Sequence, residues 1–259
     1  MTQMKPPPEN PGRFRASCGA TLDREKGICM KRDFIVFSIG VTIASATAGA
    51  RNTTQHHVAS QYHVEKIEWT RSEEPALVDS NLPNALLVGD SITQNYYPNV
   101  VKTLAGRANV FLFVTSASAG DWRLNRQVAD YGKMINTKFA VIHFNNGMHG
   151  WGYAESAYGS HLPGLIATLH SISPGAKLVW ASTTPVRAAK PGGPTNERID
   201  ARNALAAHIM RAEAVSIDDQ HRLMQGKEPL YIDDVHFGDK GAAIQGAAAA
   251  SAIADKLPT

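Results

Sequence analysis

The sequence predicts a three-layer α/β/α domain on a five-stranded parallel sheet, and three observations carry that prediction. Five short apolar runs follow one another from Asn84 onward, each continuous rather than alternating. Stretches of helical periodicity separate them, and turn-forming residues punctuate the gaps. Continuous apolar runs suit strands buried on both faces of a parallel sheet, and strand–helix alternation supplies the crossovers such a sheet requires.

The first run, Ala85 to Val88, ends in Gly89-Asp90-Ser91 and leads into a helix expected from Asn95. The second, Val110 to Val114, is rich in Phe and Val. After it Leu124, Val128, Tyr131 and Ile135 recur at helical spacing and form a single apolar stripe. The third run is Phe139 to Phe144, followed by a helical stretch from Leu162 to Ile172 and the breaker Ser173-Pro174-Gly175. The fourth run is Leu178 to Ala181. Pro191-Gly192-Gly193-Pro194 then precedes a helix from Ile199 to Met210, and the fifth run is Ala214 to Ile217. Ala242 to Leu257 closes the domain as an Ala-rich helix, Ala being the best helix former. No internal repeat of solenoid period interrupts the series.

The chain has 259 residues, 43% hydrophobic and 19% charged, which suits one globular domain with additional length. Its formal charge of +3 arises at the front: residues 1–50 hold seven of the 26 Lys and Arg and four of the 23 Asp and Glu, which leaves nineteen of each from Arg51 onward. A neutral body without a basic stripe excludes a phosphate-tracking nucleic-acid binder. Both cysteines, Cys18 and Cys29, lie in the first thirty residues, so the body has no thiol nucleophile, cysteine-based zinc site or disulfide.

The front end reads as an address. From Met30 a basic start, an apolar stretch from Phe34 to Ala48 and a small-residue ending at Ala50 compose a secretory signal, so residues 30–50 are expected to be a signal peptide. Residues 1–29 read as an upstream extension, with Met30 as the true start and a secreted or periplasmic destination. A retained apolar anchor is the other reading of the same segment. Residues 51–80 read as a linker, and 81–259 as the folded domain. His56, His57 and His63 in the linker lack the spacing and supporting carboxylate of a metal site, so no metal is expected there.

In parallel sheets ligands sit outside the carboxyl ends of the strands. Ser91 stands there, directly after the first strand and at the start of a helix whose free N–H groups favour negative charge. Gly-Asp-Ser by itself equally describes a turn with a serine cap. A serine hydroxyl needs a base. His161, His170 and His208 fall in helical stretches, His143 inside a strand and His149 in the loop after it. His236 differs, because Asp233 precedes it by three residues in Asp233-Asp234-Val235-His236, ahead of the last helix. That spacing lets the carboxylate accept from one imidazole nitrogen while the other faces the serine. An Asx-turn capping the helix is the plainer account of the same residues. The second strand leads to Gly120, whose N–H can approach a substrate closely, and the third to Asn145-Asn146, whose side-chain amides can donate.

These residues together resemble the SGNH, or GDSL, hydrolases, over Leu86 to about Ala250 and in that family's order of blocks. Ser91 resembles the nucleophile of the first block, Gly120 the glycine of the second, Asn145 the asparagine of the third, and Asp233 with His236 the closing Asp-x-x-His. The third block departs from the pattern, with His143 and Asn146 where Gly and Asp are usual. The resemblance implies a flavodoxin-like sheet and cofactor-free ester or thioester hydrolysis, with an oxyanion hole made by the Ser91 N–H, Gly120 and Asn145. Asp90, Asn146, His149 and Trp151 are the expected substrate contacts, and the substrate an acyl or acetyl ester of a small molecule or glycan. Two other readings use the same residues. Metal-assisted hydrolysis would take Asp90, Asp233, Asp234 and His236 as ligands. A non-catalytic carbohydrate module would use Trp122, Trp151, Tyr153 and Tyr158 as a platform.

Overall fold

The structure is a computed structural model that describes residues 68–258. The signal-like segment, both cysteines and the linker histidines His56, His57 and His63 lie outside the described residues.

The central strands form where the apolar runs predict them. They are β2 (Asn84–Gly89), β3 (Asn109–Thr115), β4 (Val141–Phe144), β5 (Lys177–Ala181) and β6 (Ser216–Asp218), all mutually parallel. The sheet has six strands rather than the expected five. The extra one, β1 (Thr70–Glu73), lies within the stretch read as linker and pairs antiparallel with β3, Thr70 opposite Thr115. Its sequence, Thr-Arg-Ser-Glu, carries no apolar run because an edge strand of this kind has little to bury, and its charges deter pairing with another chain. The fifth strand starts later than expected because Ala214 adopts a left-handed φ of 54° in the turn that ends the preceding helix, where Val215 N–H donates to Met210 O at 2.8 Å.

Strand order across the sheet is β1-β3-β2-β4-β5-β6. Among the parallel five, the first strand in the chain therefore lies between the second and the third. The chain reverses direction of travel at β2, and the crevice at its carboxyl end is the topological switch point.

Alternation along the strands divides the core in two. Leu86, Val88, Phe111, Phe113, Ile142, Phe144, Leu178 and Trp180 face one layer. That layer comprises α2 (Trp122–Ile135), α3 (Glu155–Ile172) and most of the buried side of α4 (Asn196–Ala212). Ala85, Leu87, Val110, Leu112, Val114, Val141 and Val179 face α1 (Ser91–Thr103) and the last helix. The short α5 (Gln220–Met224) and a 3-10 turn at Glu228–Leu230 lead into that helix, α6 (Asp239–Ala254). Fully burying a Leu, Val or Phe side chain contributes about 1.5–3 kcal/mol, so the two clusters supply the driving force without any cross-link.

Helix α1 begins a turn earlier than the apolar pattern indicates. Asp90 is its N-cap and accepts from Ile92 N–H at 2.9 Å, which makes Ser91 the first helical residue. Helix α6 packs tightly on α1 at Gly246, where a Cβ would stand 2.5 Å from Asn99 Cβ and 2.9 Å from Tyr96 O. Among the described residues no helix is long and apolar enough to cross a membrane.

Candidate active site

The loop between the 3-10 turn and α6 folds back on itself. Tyr231 bridges to Phe237, Ile232 N–H donates to His236 O at 2.9 Å, and Gly238 N–H donates to Leu230 O at 2.8 Å. The Tyr231 and Phe237 rings lie 4.0 Å apart and Phe237 is fully buried, so the loop is pinned from below. Asn95 on α1 pins it from the side, its amide donating to Phe237 O at 2.6 Å.

This anchoring sets the geometry at the tip. His236 Nε2 lies 2.7 Å from Ser91 Oγ, and His236 Nδ1 lies 2.8 Å from Asp233 Oδ2. Asp233 Oδ1 accepts from the backbone N–H groups of Val235 and His236, both at 2.7 Å. Burial pushes the Asp233 carboxyl up, but the two backbone donors and the adjoining imidazole outweigh it and hold the group at about 2. Ser91 N–H, in the first turn of α1, has no intrahelical acceptor available to it. An open cleft of about 420 Å³ lies over the pair, lined by Ser91, Gln94, Asn95, Pro98, Ile232, Asp233 and His236.

The two other expected oxyanion residues flank the same strand end. Asn145 N–H donates to Val88 O at 3.0 Å, and its side-chain amide donates to Ala181 O at 2.6 Å and to Thr183 Oγ1 at 3.3 Å. Gly120 N–H donates to Tyr153 Oη at 3.0 Å.

The expected substrate contacts Asp90, Asn146 and Trp151 bond to the protein through their side chains, and His149 through its backbone. Asp90 is 1% exposed and serves as the cap of α1, because a carboxylate at that position meets the free N–H groups of the first turn. Asn146 is buried and donates to Ala117 O at 2.9 Å, which joins the loops after β4 and β3 across the end of β2. Trp151 donates to Met148 O, and Arg202 covers its ring face at 3.8 Å from the centroid. The His149 carbonyl accepts from Arg202 Nη1 at 2.7 Å.

The four metal ligands envisaged from the sequence do not converge. Asp234 carries its carboxylate to Arg187 Nη2 at 3.4 Å and Lys190 Nζ at 3.7 Å, while Asp90 is the buried cap. No group of three or more His, Cys, Asp or Glu among the described residues is placed to hold a metal ion. The aromatic platform is likewise dispersed: Tyr158 is fully buried in the core, Trp122 is exposed at the start of α2, and Tyr153 and Trp151 pack against the two different core clusters.

Two features carry no sequence signal. Arg202, fully buried on α4, donates to the carbonyls of Gly147, His149 and Gly150 at 2.7–2.9 Å and so moulds the loop after β4. Its helix reads in sequence as an ordinary amphipathic one. His143, inside a strand as the sequence indicates, is fully buried and pairs through Nε2 with Asp218 Oδ2 at 2.9 Å. That pair braces β4 against β6, and Asp218 lies one residue beyond the apolar run that marks the fifth strand.

A parallel sheet with a hydrogen-bonded Ser, His and Asp at its switch point defines a hydrolase of the α/β/α class. The chain belongs to the GDSL-like lipase/acylhydrolase family, whose model matches residues 87–244, and is an ester hydrolase of that family. Among solved structures, the lipase/acylhydrolase from Enterococcus faecalis superposes with a TM-score of 0.57 at 14% identity, covering 68% of this chain and 97% of that one. A GDSL-like lipase from Bacteroides thetaiotaomicron superposes with a TM-score of 0.52 at 18% identity, covering 66% and 87%. A member of the lipolytic G-D-S-L family from Veillonella parvula gives 0.53 at 12%, covering 66% and 97%. No curated protein matches the sequence.

Proposed function

We propose that the protein is an exported serine esterase that cleaves an acyl or acetyl ester through an acyl-enzyme on Ser91. The single observation that carries the mechanism is the unbroken chain of contacts from Asp233 through His236 to Ser91 Oγ. His236 Nε2 takes the hydroxyl proton as Ser91 attacks the carbonyl. Asp233, held as a carboxylate by its backbone donors, keeps the proton on Nδ1 and steadies the imidazolium. His236 returns the proton to the leaving alcohol, and a water repeats the sequence on the acyl-enzyme.

The tetrahedral oxygen needs donors. Ser91 N–H is one. Asn145 supplies a second by giving up its long bond to Thr183 while the shorter one to Ala181 O keeps the amide oriented. The wide cleft beside His236 favours a bulky alcohol, such as a glycan, as the leaving group. The basic, apolar and small-residue succession from Met30 to Ala50 supports export.

A fluorophosphonate reporter tests the nucleophile. Wild type is expected to gain one covalent adduct on Ser91 and lose hydrolysis of a small chromogenic ester, with no effect of EDTA. Ser91→Ala should take up no adduct and release no burst. Retained hydrolysis by Ser91→Ala would overturn the assignment. N-terminal sequencing of the natural product tests the start at Met30, which fails if any of residues 1–29 is present.

A further inference from the structure

Gly120 N–H, which the family resemblance makes an oxyanion donor, is bonded to the phenol of Tyr153. The contact is built into the fold. The Tyr153 ring lies on Gly120, where a Cβ would stand 2.8 Å from Cζ and 2.9 Å from Cε1. The same phenol lies against Gly150, whose φ is 76° and where a Cβ would stand 2.3 Å from Tyr153 Oη. Only glycine at both positions leaves room for it.

The segment that carries Tyr153 is held firmly. Arg202 donates to the carbonyls of Gly147, His149 and Gly150, and Arg198 to those of Trp151 and Tyr153 at 3.1 and 2.9 Å. Arg198 is itself paired with Glu155 at 2.6 Å. Charge-assisted bonds to five carbonyls make this a fixed wall and not a swinging cover.

Gly120 and Tyr153 belong to the loops that leave β3 and β4, the two strands on either side of β2, whose carboxyl end leads into Ser91. The Asn146 bond to Ala117 O crosses the carboxyl end of β2, which lies between β3 and β4, and Ser91 follows that end. Gly120 is three residues beyond Ala117, and Tyr153 belongs to the loop that Asn146 begins.

A phenol has one proton to donate and two lone pairs. Gly120 N–H takes a lone pair, and among the described residues the Tyr153 hydroxyl proton meets no protein acceptor. Accepting an N–H polarises an O–H and strengthens it as a donor.

We infer that Tyr153 is a further catalytic residue: its O–H, fixed by Gly120 N–H, donates to the developing oxyanion in place of the glycine N–H itself. No proton changes owner. The hydrogen bond tightens as negative charge grows on the carbonyl oxygen and relaxes when the leaving group departs. The inference rests on the serine-esterase reading above.

Tyr153→Phe is the test, because it keeps the ring that packs between the two glycines and removes only the hydroxyl. Wild type is first titrated with the fluorophosphonate. If Ser91 takes no adduct, the serine-esterase reading ends and this inference with it. Given that adduct, Tyr153→Phe is expected to lower kcat on a chromogenic ester by on the order of 10²-fold with KM nearly unchanged. A boronic acid that forms a tetrahedral adduct on Ser91 should bind the variant more weakly by about tenfold or more. An unchanged or raised kcat would overturn the inference and mark Tyr153 as a plug that substrate displaces. Loss of KM along with kcat would also overturn it, marking the phenol as structural.

Discussion

Ser91 Oγ and His236 Nε2 stand 2.7 Å apart although 145 residues separate them in the chain. Two features produce that meeting. Asp90 caps α1 so that the serine is the first helical residue at the end of β2, and the Gly246 crossing lets α6 lie close enough to α1 for the preceding loop to reach it. Asn95 then locks the loop in register through Phe237 O.

Asp233→Asn should separate orientation from folding. The asparagine oxygen can still accept from Val235 and His236 N–H, so the loop should persist. Its NH2 group would face Nδ1 and favour the wrong tautomer. We expect kcat to fall by up to about 10⁴-fold with the urea midpoint nearly unchanged. A midpoint that falls together with kcat would mean that Asp233 only shapes the loop.

The same carboxylate has a defined pH signature. Its value falls from 3.8 to about 2 on folding, so between those values the unfolded chain binds more protons than the native one. Its contribution to stability is therefore complete above pH 3.8 and fades as pH drops towards 2. Because the side chain is 54% exposed, solvent screening keeps the contribution small. The stability difference between wild type and Asp233→Asn should be flat from neutrality to about pH 4 and shrink below it, as read by urea titrations at each pH. A difference that shrinks already between neutrality and pH 5 would contradict the assignment.

Gly246→Val tests the helix crossing. The new side chain would collide with Asn99 and the Tyr96 carbonyl, and overpacking of this kind costs about 1–3 kcal/mol. Because α6 holds the His236 loop, esterase activity should fall more steeply than stability under conditions where the protein remains folded. Equal activity in wild type and variant would show that the crossing does not set the Ser91–His236 distance.

Arg202→Met should release the loop after β4. The substitution removes the donors to three carbonyls and the cation over Trp151, at a cost of about 2–4 kcal/mol. Amide hydrogen exchange should quicken from Gly147 to Ala154 and remain slow in β2 and β3. Arg202→Lys should rescue little, since an ammonium cannot span three carbonyls with a planar fork. Unaltered exchange in the loop would refute the clamp.

Much of this molecule is legible in its sequence. The central strands, the main helices and the Ser91, Asp233 and His236 constellation announce themselves through continuous apolar runs, a single stripe on α2 and an Asp-x-x-His spacing, all of which are local in the chain. The edge strand β1 is not, because Thr-Arg-Ser-Glu buries little and leaves no apolar trace. The sequence does not separate capping from substrate binding at Asp90, because both call for the same residue type at the same strand end. The sequence is silent on the surroundings of Trp151, because exposure of an aromatic ring depends on what lies over it, here Arg202 from a helix about 50 residues onward.

Which elements form, and at which sheet edge their polar ends gather, follows from consecutive residues alone, because burial periodicity and strand-end chemistry are local in the chain. Which donors face which acceptors is settled by packing at long range: Gly120 N–H meets the Tyr153 phenol, Asn145 turns to Ala181, and Arg202 holds three carbonyls and the rings of Trp151, Tyr153 and Tyr158 from one buried position. Those pairings join residues far apart in the chain, and the free energy of leaving a buried polar group unpaired, not any local pattern, selects among them.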